Sequence, residues 1–313
     1  MARMLVRSIR DAAKDIKTFE LVSPEGAELE TFNPGAHIEI QLPGNLKRHY
    51  SLCNDPAETH RYQLAVLREK ESRGGSQLLH EQVSVGDFLE VSTPQNNFPL
   101  DQRAMHFTLI AGGIGVAPLL AMAYKLKALR KSFEFHMCAR SEDALPFRKE
   151  LEGLTEKDCL HFHITAGSPS RRLNVESLLQ KPIPAGLIYC CGPQSLMNAV
   201  GRAAVNWRAK NIRFEIFTPP ALDGSDQAFD VKISSTGQII HVDATTTILE
   251  ALRKNGIGHP FSCEVGLCGT CITRHSAGEI EHRDQNILSI EERKENLAIC
   301  VSRCMSGELI LDL

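Results

Sequence analysis

Residues 259–284 read HPFSCEVGLCGTCITRHSAGEIEHRD, with cysteines at 263, 268 and 271 and a fourth, Cys300, after 28 intervening residues. This Cys-x4-Cys-x2-Cys…Cys spacing is that of plant-type [2Fe–2S] ligation. Two irons bridged by two sulfides need four thiolates, and three must come from one loop wrapped tightly around the cluster. Gly266 and Gly269 let that backbone approach closely and turn N–H groups toward sulfur. Structural zinc and buried free thiols are the alternatives, although zinc normally takes tighter, paired spacings. Cys304 is a spare thiol in this reading. Together, Cys263, Cys268, Cys271 and Cys300 are the expected metal ligands.

The same stretch, with ICVSRC at 299–304 and the final LILDL, resembles the C-terminal ferredoxin domain of the phthalate dioxygenase reductase family. That group includes the vanillate O-demethylase reductases. The resemblance runs upstream in the same domain order over nearly the whole chain. It implies three modules: an antiparallel Greek-key β-barrel for flavin, a Rossmann-like α/β parallel sheet for NAD, and an α+β β-grasp ferredoxin domain.

The residues divide in the same way. FDVKI and QIIHVD read as a hairpin opening a segment at 229–313. Thr247 and Glu250 form a capping box, and Asn255-Gly256 closes the helix it opens. Two prolines, a glycine and polar residues make 218–228 a linker. Over 102–217, strands such as MHFTLIAGG, FEFHMCAR, LHFHITAG, GLIYCCG and IRFEIF alternate with helical stretches. Such alternation predicts a parallel sheet covered on both faces. One helix is predicted over 193–210, with Leu196, Val200, Ala204 and Trp207 as its apolar stripe. Over 1–101, short alternating runs such as HIEIQL and FLEVS suit strands with one buried face. Only SQLLHEQV interrupts them as a helix.

Arg48-His49-Tyr50-Ser51-Leu52 looks like the flavin signature of ferredoxin-reductase-like barrels. On a strand, Arg48, Tyr50 and Leu52 share one face, and His49 and Ser51 the other. A guanidinium suits a phosphate because its donors form a planar fork. The second half of the site is Arg73-Gly74-Gly75-Ser76-Gln77, a glycine turn at a helix start. Ala65 and Val66 complete the expected flavin-binding set. The resemblance implies FMN rather than FAD; the residues alone do not separate the two.

Ala111-Gly112-Gly113-Ile114-Gly115-Val116-Ala117-Pro118 lies between a strand and a helix. It departs from the Rossmann G-x-G-x-x-G by ending in proline, which a first helical position tolerates. Gly112, Gly113, Gly115, Val116 and Pro118 are expected at a pyrophosphate. In ferredoxin-reductase-like domains a C-G-P turn sets its cysteine beside the nicotinamide. Cys191, Gly192 and Pro193 match it, Cys190 being packed. Arg140 and Ser141 fall where an adenosine ribose should lie. NADH is the implied donor, although Arg140 could also meet a 2′-phosphate. Phe217, by the resemblance, shields the flavin ring; an ordinary core phenylalanine is the alternative. Cys191, Ser51 and Phe217 are thus the residues expected nearest the chemistry. The histidines of EFHM and HFHI show no ligand spacing and read as plain strand residues.

The modules imply a circuit: a hydride from NADH to FMN, then single electrons through the cluster to a Rieske-type non-haem iron oxygenase. A flavin and iron–sulfur redox sensor is the alternative of another class; a di-iron monooxygenase or P450 is the alternative client. Composition fits an ordinary soluble protein, 42% hydrophobic and 23% charged. A net charge of −3 excludes nucleic-acid binding through bulk positive charge. No apolar run reaches the roughly 18 residues needed to span a bilayer. The charged N-terminal stretch does not read as a secretory signal. A cytoplasmic monomer with reduced thiols is therefore expected. Residues 229–313 carry 8 basic and 12 acidic side chains, an acidic surface for docking on a partner.

Overall fold

The computed structural model describes residues 1–313 except 71–73, 218–221, 223–225, 262–263, 267–268, 285–286 and 306–307. The chain forms two compact units, Met1–Glu215 and Ile216–Leu313. Most of the linker expected at 218–228 lies outside the described residues.

The first unit opens with a six-stranded antiparallel sheet. Its strands are β1 (Ala2–Ala13), β2 (Ile16–Val22), β3 (His37–Leu42), β4 (Leu46–Ser51), β5 (Tyr62–Leu67) and β6 (Phe88–Val91). Their order is β4-β3-β6-β1-β2-β5. An antiparallel bridge between Leu52, just after β4, and Leu64 on β5 joins the two edges, so the sheet closes into a barrel and hides its unpaired rims. Val6, Phe19, Leu21, Ile38, Ile40, Leu52, Leu64 and Val66 fill it. Alternation along each strand sends these side chains inward. Helix α1 (Gly75–Glu81) lies between β5 and β6.

The same unit continues into a parallel sheet of β7 (His106–Gly112), β8 (Ser132–Ala139), β9 (Leu160–Ile164), β10 (Gly186–Cys191) and β11 (Ile212–Glu215). The order β11-β10-β7-β8-β9 reverses direction between β7 and β10. Helices α2 (Val116–Ala128), α3 (Arg148–Leu154), α4 (Val175–Leu179) and α5 (Gln194–Ala203) link the strands. Buried residues run around most of α2, as expected of a helix sunk in a core. Tyr189 of β10 ties the two halves of this unit together. Its hydroxyl accepts from the Asp101 N–H at 2.8 Å and donates to the Pro99 carbonyl at 3.1 Å.

Two expectations are corrected here. The helix predicted over 193–210 stops at Ala203. Val200, Ala204 and Trp207 are still buried, but Trp207 sits in a turn, where its indole N–H reaches the Leu179 carbonyl at 2.9 Å. A tertiary hydrogen bond thus replaces a further turn of helix. Likewise, β11 ends at Glu215, so Phe217 of IRFEIF lies beyond the strand.

In the second unit, β12 (Phe229–Ile233) and β13 (Ile239–Val242) form the expected hairpin. Strands β14 (Ile272–Ala277), β16 (Asn296–Ala298) and β18 (Glu308–Leu311) complete a mixed sheet of order β13-β12-β18-β14-β16. A short pair, β15 (Ile280–Glu281) and β17 (Arg303–Cys304), stands apart. Helix α6 (Ile248–Lys254) begins in the predicted capping box, with both Thr247–Glu250 bonds made. Its Ile248, Leu249 and Leu252 join the core of the β-grasp sheet. Arg303 is buried, and its guanidinium donates to the carbonyls of Thr246, Gln227 and Asp243. It thereby pins the segments entering and leaving the hairpin.

Candidate functional site

The glycine turn after β7 and the Cys-Gly-Pro turn after β10 meet where the sheet reverses direction. In open α/β sheets that is where ligands bind, beyond the carboxyl ends of the strands. Pairing of Ala111 with Cys191 sets both turns at one height. They press together closely: a Cβ on Gly115 would lie 2.2 Å from the Cys191 carbonyl oxygen, and one on Gly112 would lie 2.6 Å from Pro193 Cδ. Gly113 differs. Its φ is +55°, and the space where a side chain would stand is open. Of the glycines expected to admit a pyrophosphate, Gly113 therefore offers a free approach, while Gly112 and Gly115 are used in packing.

Pro118 is the third residue of α2, not the first, because the helix starts at Val116. Proline remains tolerable there, since the N–H groups of the first turn have no partner within the helix. Arg140, exposed, and Ser141, half-buried, follow β8 at the same end of the sheet.

Cys190 and Cys191 are both fully buried. Burial pushes the Cys191 thiol well above its ordinary pKa, and the neighbouring Glu215 pushes the same way. A neutral, enclosed thiol can position a ring but not attack it. Glu215, opposite Cys191 in the parallel pairing, had no role in the sequence reading. It is 2% exposed, and its Oε2 lacks a hydrogen-bond partner. The available signal was a carboxylate flanked by apolar residues in the strand IRFEIF, whose other charged residue is Arg213. Burial raises its pKa from 4.5 to about 8. Between those values the unfolded chain has lost this proton while the folded chain keeps it, so stability falls as pH rises. Glu215→Gln is expected to remove that slope. Urea midpoints of the variant and parent should lie closest at pH 5 and diverge by pH 8, with the variant the more stable. Parallel pH profiles would refute the assignment.

In the barrel, Arg48, His49, Tyr50 and Ser51 lie on β4, and Leu52 follows it. Leu52 is a core residue. His49 faces Glu39 at 3.5 Å and the buried His37 ring at 5.0 Å. The structure brings the two predicted halves of the flavin site together. Gly75 is backed by the aliphatic stem of Arg48, whose Cγ would lie 2.4 Å from any added Cβ. Gly74 precedes α1 with φ +94°. The Ser76 hydroxyl accepts from the Glu69 N–H, and the Gln77 amide donates to Glu81. Ala65 and Val66 are buried on β5, and the Val66 carbonyl is bonded to the His80 ring. Arg73 lies outside the described residues. Phe217 is 37% exposed.

Cys271 and Cys300 are both buried in the core of the second unit. Antiparallel pairing of Ile272 with Ala298 sets them at one end of β14 and β16. Gly266 and Gly269 have φ of +71° and +76°, a region that glycine enters without strain. A Cβ on Gly266 would meet Val301 Cγ2 at 2.8 Å, so the loop lies tight on the core. Cys263 and Cys268 fall outside the described residues. Cys304 donates to the Glu308 carbonyl at 3.4 Å, as befits a structural thiol. Two buried thiols beside a tight glycine loop fit an iron–sulfur cluster. Among the described residues, no helix is long and apolar enough to cross a membrane.

Residues 231–305 match the family described as 2Fe-2S iron-sulfur cluster binding domain. The chain is 41% identical over 320 positions to the tert-butanol monooxygenase / tert-amyl alcohol desaturase reductase subunit of Aquincola tertiaricarbonis, covering 98% of this chain and 95% of the relative. It is 39% identical over 313 positions to phthalate dioxygenase reductase of Burkholderia cepacia, covering 99% and 97%. The chain belongs to the phthalate dioxygenase reductase family. A solved phthalate dioxygenase reductase, described as a modular structure for electron transfer from pyridine nucleotides to [2Fe-2S], superposes with a TM-score of 0.78. It is 39% identical and covers 100% of this chain and 98% of its own. As a member of the phthalate dioxygenase reductase family, this chain is a multidomain oxidoreductase.

Proposed function

We propose that this protein takes a hydride from NADH onto FMN and delivers single electrons, through a [2Fe–2S] cluster, to a Rieske-type non-haem iron oxygenase in the cytoplasm. The functional modules are residues 1–101 for FMN, 102–217 for NADH and 229–313 for the cluster. The carrying observation is the pair of interlocked turns, Gly112–Gly115 and Cys191–Pro193, on the same chain as buried thiols within a 2Fe-2S domain match. When bound, the flavin supplies the conversion from an electron pair to single electrons, and the cluster carries them singly.

In this reading the protein's own residues position and insulate. Gly113 leaves room for the dinucleotide's pyrophosphate at the head of α2, and Arg140 and Ser141 reach its ribose. Cys191, kept neutral, packs against the nicotinamide, with Gly192 and Pro193 shaping the turn. Arg48 and the Gly74–Gly75 turn hold the FMN phosphate. Tyr50 and Ser51 line the flavin, and Phe217 shields it. Cys263, Cys268, Cys271 and Cys300 hold the irons. The acidic balance of residues 229–313 favours an oxygenase with a basic docking face.

The test is acid release of the flavin, followed by steady-state kinetics with both nucleotides and with purified oxygenases. The expected results are FMN, a kcat/KM for NADH at least tenfold above that for NADPH, and salt-sensitive reduction of a Rieske centre. FAD, equal use of NADPH, or a preference for a P450 or di-iron acceptor would each overturn the corresponding element.

A further inference from the structure

The parallel sheet carries a second cluster of chemistry on the face opposite α2. Phe107, Leu109, Phe135 and Met137 point into the core shared with α2, so alternation sends Thr108, Glu134 and His136 to the other side. Parallel pairing sets His136 beside His161 and Thr108 beside Glu134. Ligand atoms of Glu134, His136 and His161 all lie within 4.8 Å of one another. The His136 and His161 rings stack with centroids 4.7 Å and planes 20° apart, so a shared ion requires the half-buried His161 ring to turn toward it.

His136 is the pivotal member. It is 4% exposed. Its Nδ1 lies 3.1 Å from His163 Nε2. Its Nε2 is buried and faces Glu134 Oε2 at 3.4 Å. A neutral imidazole has one N–H and one lone pair. With His136 as the donor to His163, its Nε2 lone pair faces a carboxylate oxygen; with His163 as the donor, the His136 Nε2–H points at Glu134 instead. A cation selects the first arrangement, because it takes the Nε2 lone pair and the carboxylate oxygen together. The other outer groups are already held: Thr108 donates to Glu134 Oε1 at 2.9 Å, and His106 approaches that same oxygen at 3.8 Å while its Nδ1 bonds Ser132. Metal-ligating histidines and carboxylates are characteristically braced in this way by outer partners.

We propose that Glu134, His136 and His161 form a divalent transition-metal site, suited to zinc, that clasps β8 to the edge strand β9. Two imidazoles and one carboxylate are a common zinc ligand set, with a fourth position left for water. Glu134 and His136 are the third and fifth of the eight residues of β8, and the nucleotide turns follow the carboxyl ends of the strands. Zinc has no redox chemistry. The site is therefore a structural clasp outside the electron path.

The test uses the flavin- and iron-loaded protein, stripped of adventitious metal with EDTA, dialysed against zinc chloride and assayed for zinc and iron together. One zinc per chain is expected, with iron unchanged and no uptake of magnesium, which prefers oxygen ligands. His161→Gln, His136→Gln and Glu134→Gln should each weaken zinc binding at least tenfold, while the exposed His60→Gln should not. Zinc should raise the melting temperature of the parent but not of His161→Gln, and NADH oxidation by that variant should stay within twofold. Because His161 is only half-buried on an edge strand, its variant keeps the test decisive if His136→Gln fails to fold. No zinc uptake by the parent, or uptake undiminished in His161→Gln, would overturn the proposal.

Discussion

Cys300→Ser is expected to abolish one-electron output while leaving the first half-reaction intact. The thiol is 2% exposed and sits among Leu297, Ile299 and Val301. Serine oxygen is a hard, poorly ionised substitute for a soft thiolate, so three of the four expected ligands cannot retain the irons. Cytochrome c reduction should fall at least ~100-fold, in line with the sensitivity of metal sites to far smaller changes in their ligands. NADH should still bleach the flavin band at close to the parental rate. Stability should suffer as well. Metal affinity is folding free energy in small metallo-domains, of order 10 kcal/mol for structural zinc, and Cys271 and Cys300 belong to the core that α6 covers. Thermal melting should therefore show residues 229–313 unfolding first. The control is Cys304→Ser. That thiol is equally buried but hydrogen-bonded to Glu308, and its loss should leave the iron in place. If Cys300→Ser keeps its iron bands, or Cys304→Ser loses them, the ligand assignment is wrong.

These cysteines were legible in the sequence because their chemistry is local: a cluster constrains the number of residues between ligands. The capping box at Thr247 and Glu250 was legible for the same reason, as each partner lies within one helical turn. What the sequence hid depends on lateral register. Gly112, Gly113 and Gly115 look alike in a chain of letters. Only the pairing of β7 with β10 shows that Gly113 faces open space while Gly112 and Gly115 meet the Cys191–Pro193 turn. His136 and His161 lie 25 residues apart in LHFHITAG and FEFHMCAR. No spacing rule links them, and the β8–β9 register makes them neighbours. Trp207 kept the periodicity of a helix yet left it for the carbonyl of Leu179, the last residue of α4. Glu215 was passed over because a single acid in a strand usually faces water; its partner strand, not its neighbours in sequence, buries it.

The second large effect is expected from Gly115→Ala, the addition of one methyl group. Its Cβ would stand 2.2 Å from the Cys191 carbonyl oxygen, 2.4 Å from the carbonyl carbon and 2.7 Å from the Gly192 nitrogen. These are backbone atoms at the end of a central strand, so no rotamer change relieves the clash. Either α2 must back away from the sheet or the Cys191–Pro193 turn must move. Overpacking of this kind costs ~1–3 kcal/mol, and the turn that shifts carries the residue assigned to the nicotinamide. A displacement near 1 Å in such a site can cost ~100-fold in rate. We therefore expect kcat/KM for NADH to fall about 100-fold, with reduction of flavin and cluster by dithionite unaffected. Gly113→Ala should behave differently. It has room, but its φ of +55° imposes roughly 1–2 kcal/mol of left-handed strain, and its methyl group would occupy the space left for the pyrophosphate. Its signature should be a raised KM more than a lowered kcat. Gly201→Ala, in the last turn of α5 with nothing within 4 Å, should stabilise by up to ~0.5–1 kcal/mol and leave kinetics alone. Should Gly115→Ala instead use NADH within threefold of the parent, the two turns are not interlocked. The nicotinamide site would then have to be sought elsewhere along the carboxyl edge of the sheet.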